Sequence, residues 1–174
     1  PQYSSAVTAT SLGSSGVMIS GAVIYNPFEG DNKTVAMANN FTITNSQGIT
    51  ASFVDKCAGH PIPDSGAYHY HGLSTCVTAK VDKVAKPSHV IGFALDGFPI
   101  YGAYGFKNID GTGGITRIKS GYQLRNITTR TTHANGTDVS DGPAISATYP
   151  LGYFREDYEF ITHTNEADYL DDHN

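Results

Sequence analysis

The sequence predicts a mainly β protein, an antiparallel sandwich or partly closed barrel with long loops and at most two short helices, and three observations carry that expectation. Nineteen Gly and eight Pro interrupt the chain too often for long helices. Eleven Tyr among abundant Ser, Thr and Asn favour pleated, half-buried strands and the turns between them. Apolar residues alternate over short runs instead of recurring at helical spacing. A length of 174 residues suits one domain, residues 1–174, with a real core.

Residues 1–15 are small and polar, an expected N-terminal arm. Residues 17–25 are β-prone, interrupted by Gly21 and stopped by Asn26-Pro27, which gives one bulged strand or two short ones. Residues 29–33 form a charged turn, and 35–39 suit a single helical turn. Runs 41–44 and 50–54 flank an Asn-Ser-Gln-Gly turn and make a hairpin. In 77–86, Val77, Val81 and Val84 share a helical face, their lysines face solvent, and Pro87 ends the helix. Residues 89–95 are the most apolar run, so 90–95 is expected to be a central strand ending at Asp96-Gly97. Ile91, Phe93 and Leu95 would then join Val23, Ile43 and Phe53 in the core, leaving small Gly92 and Ala94 for close approach of the His-bearing loop.

Pro99 confines 98–102 to an edge or bulge because it lacks a donor. The Gly-rich loop 108–114 has no Lys-Ser/Thr ending and is no phosphate cradle. Short strands are expected at 115–118 and 121–124, then a polar excursion over 128–142 without core residues. Aromatics return over 149–161, where 152–160 suits a strand or irregular edge.

A net charge of −5 with only eleven Lys and Arg, scattered, argues against nucleic acid. No apolar run reaches the roughly 20 residues needed to span a bilayer, and no basic-then-apolar leader stands at Pro1. The expected location is secreted or extracellular, periplasmic for a bacterial source, with any leader already removed. Acceptor triplets for N-glycosylation begin at Asn32, Asn40, Asn126 and Asn135. Cys57 and Cys76, the only cysteines, bracket one motif and are expected to form a disulfide.

Function concentrates between those cysteines. In the extended tetrapeptide Tyr68-His69-Tyr70-His71 the two imidazoles share one face and the two phenols the other. The turn-rich run 59–66 can bring His60 to the same point. His60, His69 and His71 are therefore the candidate metal ligands, with Asp96 as a fourth ligand or as the carboxylate that fixes an imidazole tautomer. Three neutral imidazoles without thiolate suit zinc or copper. Zinc would activate a water for hydrolysis; copper would favour redox work with Tyr68, Tyr70 or Tyr101 as electron-transfer partners. His89 is expected to be structural, His133 exposed, and His163, His173, Asp171 and Asp172 peripheral.

The ordered blocks 59–72, 91–102, 153–158 and 170–174, with a Cys on either side of the first, resemble the YHYH protein family. The resemblance spans most of the chain and implies a secreted or envelope protein named for its motif. In that family the last block reads on through Asn-Gly, so the resemblance implies a chain cut near Asn174.

Other histidine chemistries are excluded. A cupin needs a carboxylate shortly after the His-x-His pair, where Leu73, Ser74 and Thr75 stand. A zincin helix with Glu beside the first His is absent, Pro1 excludes an amino-terminal copper brace at this terminus, and no Gly-x-Ser-x-Gly elbow supports a serine triad. Two functions of different class follow: a secreted metal-binding domain, or an extracellular metalloenzyme, hydrolytic with zinc or oxidative with copper. A small-molecule or glycan ligand on the Tyr-rich surface is a third, weaker expectation.

Overall fold

The computed structural model describes all residues except 3, 5, 7, 8, 39–41, 45, 83, 84, 139–141, 165 and 171–174; of Ile43 it describes the backbone alone. Asn40, Asp171, Asp172 and His173 thus lie outside the described residues, as do Lys83 and Val84 of the expected helix. In chain order the elements are β1 (Ser14–Met18), β2 (Val23–Tyr25), β3 (Thr42–Thr44), β4 (Thr50–Ser52), β5 (Gly59–Pro61), β6 (Tyr68–Tyr70) and α1 (Thr75–Val81). They continue with β7 (Val90–Ala94), β8 (Pro99–Tyr101), β9 (Tyr104–Phe106), β10 (Ile115–Arg117), β11 (Tyr122–Leu124), a 3-10 turn (Arg155–Asp157) and β12 (Tyr158–Phe160). The protein is mainly β, with one α-helix among the described residues, as its composition predicts.

The architecture is an open, mixed six-stranded sheet in the order β5-β6-β2-β1-β7-β8, with β9/β10, β11/β12 and β3/β4 as separate two-stranded ribbons. Among the described residues no barrel closes. Gly21, with φ +86°, turns the chain between β1 and β2, so 17–25 is two strands and not one. The departure from an all-antiparallel sheet is β2 with β6, which pair in parallel, Val23 opposite His69 and Ile24 opposite Tyr70. Such a pairing needs a long crossover, and residues 26–67 supply it. Pro99 does fall on an edge strand, β8.

One face of the sheet carries the core: Met18, Tyr70, Val77 and Ile91, joined by Ile24, Tyr68, Val81 and Ile100 and covered by α1. The opposite face carries the cross-strand row His60, His69, Val23, Val17, Phe93 and Pro99. Phe93 and Leu95 were expected inside but are 49% and 72% exposed, whereas Ile91 is 1% exposed. The cause is a register shift against β8 between Val90 and Gly92, an extra residue that puts Ile91 and Gly92 on the same buried side. Gly92 does admit a close neighbour, but a Cβ there would meet the β1 backbone, Val17 O at 2.6 Å, and not the His-bearing loop.

Other local expectations are revised by tertiary contacts. Residues 35–38 make a single turn, Ala38 N–H to Val35 O at 2.9 Å, not a helix. Helix α1 stops at Asp82, whose N–H still bonds Thr78 O, so it is shorter than 77–86 suggests. It buries Val77 and carries Cys76, which is disulfide-bonded to Cys57 as expected. The bridge closes a 19-residue separation and clamps α1 to the start of β5. Replacing both cysteines by serine is expected to cost about 3 kcal/mol of folding free energy, read as a lower urea midpoint under non-reducing conditions.

Candidate metal centre

His60 is carried by β5 and His69 by β6, directly opposite each other in the antiparallel register, while His71 follows β6 by one residue. Alternation along the strand puts His69 and His71 on one side and Tyr70 on the other, in the core. His71 N–H bonds Ala58 O at 2.9 Å, which extends the strand pairing and fixes the second imidazole. The His71 Nε2 lies 3.0 Å from His69 Nε2 and 3.1 Å from His60 Nε2, and the three donor atoms lie within 4.8 Å of one another.

The other ring nitrogens decide what those contacts mean. His71 Nδ1 faces Asn26 O at 2.7 Å, His60 Nδ1 faces Pro61 O at 3.0 Å, and His69 Nδ1 makes a longer contact of 3.5 Å with Ala67 O. A carbonyl only accepts, so the Nδ1-protonated tautomer satisfies these contacts, and in that tautomer each neutral ring presents an Nε2 lone pair to the common point. Three lone pairs at hydrogen-bond distance have no proton to share. The arrangement is compatible with a bound cation, and outward Nδ1–H bonds of this kind are what hold imidazoles that ligate one.

A carboxylate also stands beside the group, that of Glu29, whereas the expected Asp96 lies elsewhere. Glu29 Oε1 lies 3.4 Å from His71 Nε2 and 3.7 Å from His60 Nε2, buried and without a hydrogen-bond partner. Donors around a tetrahedral ion at about 2.0–2.1 Å stand roughly 3.3 Å apart, close to the four contacts above of 3.0, 3.1, 3.4 and 3.7 Å, while the three imidazole donors together span up to 4.8 Å. Asp96 is exposed in the turn after β7, accepting the Phe98 N–H at 3.2 Å. Its strand lies three strand spacings from β6, roughly 14 Å away.

Burial, then Asp31, pushes the Glu29 carboxyl up to about 7. Burial, then the neighbouring imidazoles, pulls His71 down to about 4 despite its bond to Asn26 O, and burial likewise lowers His60 and His69. The imidazoles are thus kept neutral, the form a metal requires. Tyr25 packs on His69 with ring centroids 4.1 Å apart, and Phe53 on His60 at 4.1 Å, so aromatic walls shield the group.

Of the expected tyrosines, none is seen to pack on an imidazole. Tyr68 donates to Asp55 Oδ2 at 2.8 Å and Tyr70 packs in the core. Tyr101 is 56% exposed on β8, the far edge of the sheet. His89 is exposed, His133 half-buried, and His163 stacks on Tyr169 with centroids 3.6 Å apart. Asn32, Asn126 and Asn135 are exposed, although the Asn135 carboxamide already accepts Thr137 N–H and Oγ1–H. Both cysteines are consumed by the disulfide, so neither offers a thiolate. Glu29, Tyr25 and Asn26 escape sequence reading because only the β2–β6 pairing brings 25–29 beside the histidines; the charged turn at 29–33 was the one available signal.

A protein-family model described as YHYH protein matches residues 1–174. No curated protein and no solved structure matches the chain significantly.

Proposed function

This chain belongs to the YHYH protein family, and on that premise we propose that it is a secreted metal-binding domain that holds one zinc or copper ion between His60, His69, His71 and Glu29. The observation that carries the reading is the convergence of three Nε2 atoms beside a buried carboxylate oxygen that has no hydrogen-bond partner. Three imidazoles and one carboxylate suit either ion. With four protein donors the ion is retained, which favours storage, delivery or structural use over turnover. The Cys57–Cys76 disulfide supports an oxidising compartment, and exposed Asn32, Asn126 and Asn135 are acceptor sites if that compartment glycosylates. Among the described residues no helix is long and apolar enough to cross a membrane.

The same carboxylate supports a second reading, a metalloenzyme in which water takes the fourth position and Glu29, beside His60 and His71, serves as the base. Elemental analysis of untagged protein purified without added metal tests the main reading. Close to one equivalent of zinc or copper is expected, removed by a chelator with a fall in melting temperature and restored by the same metal. Absence of metal after reconstitution with both ions would refute it.

A further inference from the structure

Glu29 is not held in place by its own strand. It opens a tight turn over 29–34 in which Asp31 accepts the Thr34 N–H at 2.8 Å and the Thr34 hydroxyl at 2.6 Å, while Glu29 N–H returns to Thr34 O at 2.9 Å. The return side of that turn is bound to the segment 152–157, far along the chain. Val35 N–H donates to Tyr153 O at 2.9 Å, Arg155 N–H to Lys33 O at 2.8 Å, and Thr34 bridges Phe154. Beside these bonds, Lys33 Nζ lies 3.4 Å from Glu156 Oε1. Glu156 is 2% exposed and this oxygen has no hydrogen bond, so Lys33 is its one close counter-charge among the described residues.

Behind that contact stands a rigid anchor. Asp157, 0% exposed, accepts Arg130 Nε at 2.6 Å, Arg130 Nη2 at 3.0 Å, Gly152 N–H at 2.9 Å and Phe154 N–H at 3.1 Å. The segment 152–157 therefore has one geometry, and it passes that geometry to the turn that aims Glu29.

We propose that Lys33 and Glu156 are positioning residues for the metal centre: their ion pair, with the half-exposed Lys33 reaching the buried Glu156 and seated on the Arg130–Asp157 anchor, fixes the Glu29 turn so that its carboxylate meets the three imidazoles. The inference rests on the metal-binding reading above and assigns part of the affinity to a segment that contributes no ligand. A residue of this kind acts through Glu29 alone, so its loss and the loss of Glu29 have the same effect and do not add.

The test is a double-variant cycle on the full chain, using zinc for affinity and cobalt(II) for the visible spectrum. Glu29→Gln is expected to weaken zinc binding about 10–100-fold. Glu156→Gln, which keeps the side-chain volume, is expected to weaken it by a similar factor and to change the cobalt bands in the same way. Glu29→Gln/Glu156→Gln should then bind no more weakly than either single variant. Lys33→Met, half-exposed and tolerant, repeats the measurement if Glu156→Gln folds poorly. Unchanged affinity and spectrum in Glu156→Gln and Lys33→Met, or losses that add to that of Glu29→Gln, would overturn the positioning role. A silent Glu29→Gln would also overturn it while leaving a three-histidine site, whereas a wild-type protein that binds neither ion fails the reading beneath it.

Discussion

Replacing His69 and His71 together by alanine is expected to abolish stoichiometric metal binding, with affinity falling by at least about a thousandfold, because two of three imidazole donors disappear. His71 is the centre of the group, the ring whose Nε2 touches both others and Glu29. Calorimetric titration with zinc and with copper checks this, and a variant that still binds one equivalent tightly places the ion elsewhere. The metal-free protein carries a second signature. His71 falls from 6.5 to about 4 on folding, so its contribution to stability is complete above the unfolded value of 6.5 and is lost as pH drops towards 4. Burial moves His60 and His69 in the same direction. Glu29 runs the other way: raised from 4.5 to about 7, it favours the fold below 4.5 and loses that contribution as pH rises through 7. In chelator, His71 and Glu29 therefore oppose each other over about pH 4.5–6.5, so the wild-type urea midpoint should fall with pH only as far as the lowered His60 and His69 add to His71, and the double variant, which keeps Glu29, should lose that fall.

Arg130→Ala is expected to cost about 3–5 kcal/mol, the usual result of leaving one member of a buried ion pair alone. Arg130 is 2% exposed and its guanidinium is fully occupied, by Asp157, Pro143 O at 2.7 Å, Tyr149 O at 3.0 Å and Pro150 O at 2.8 Å. Its removal leaves the buried Asp157 carboxylate without its counter-charge, with only the Gly152 and Phe154 N–H groups, and takes a donor from three carbonyls at once. Arg130→Lys keeps the charge and loses the fork, so it should recover only part of the stability. The readouts are soluble yield and the urea midpoint; a midpoint within about 1 kcal/mol of wild type in Arg130→Ala would show that the 143–157 region does not depend on this anchor.

The contrast between His71 and Arg130 shows what a single sequence discloses. His60, His69, His71 and the cysteine pair were legible because strand alternation and proximity in sequence place them together. The mainly β class followed from composition, and the break at Gly21 from its missing side chain. Arg130 was invisible: it sits among Thr, Asn and Asp in a run that looked like a solvated excursion, and no periodicity marks a charge that will be buried by a carboxylate from another segment. Ile91 and Phe93 exchanged roles because a bulge shifts alternation by one residue, and a bulge has no reliable signature within an apolar run. Asp96 was the one carboxylate the sequence offered, whereas Glu29 stands beside the imidazoles only because β2 pairs in parallel with β6, a long-range event that no local pattern announces.

The three imidazoles do not stand on equal ground. His69 belongs to β6, paired on both sides, whereas His60 belongs to β5, which pairs on one side only and ends the sheet. Edge strands fray first, because half their backbone bonds are absent. For an ion held here, departure and arrival would thus begin at His60: the coordination sphere opens like a gate hinged at Cys57, whose disulfide to α1 limits how far the strand can swing. An ion held this way would exchange its ligands in a set order, the edge strand first and the interior strand last.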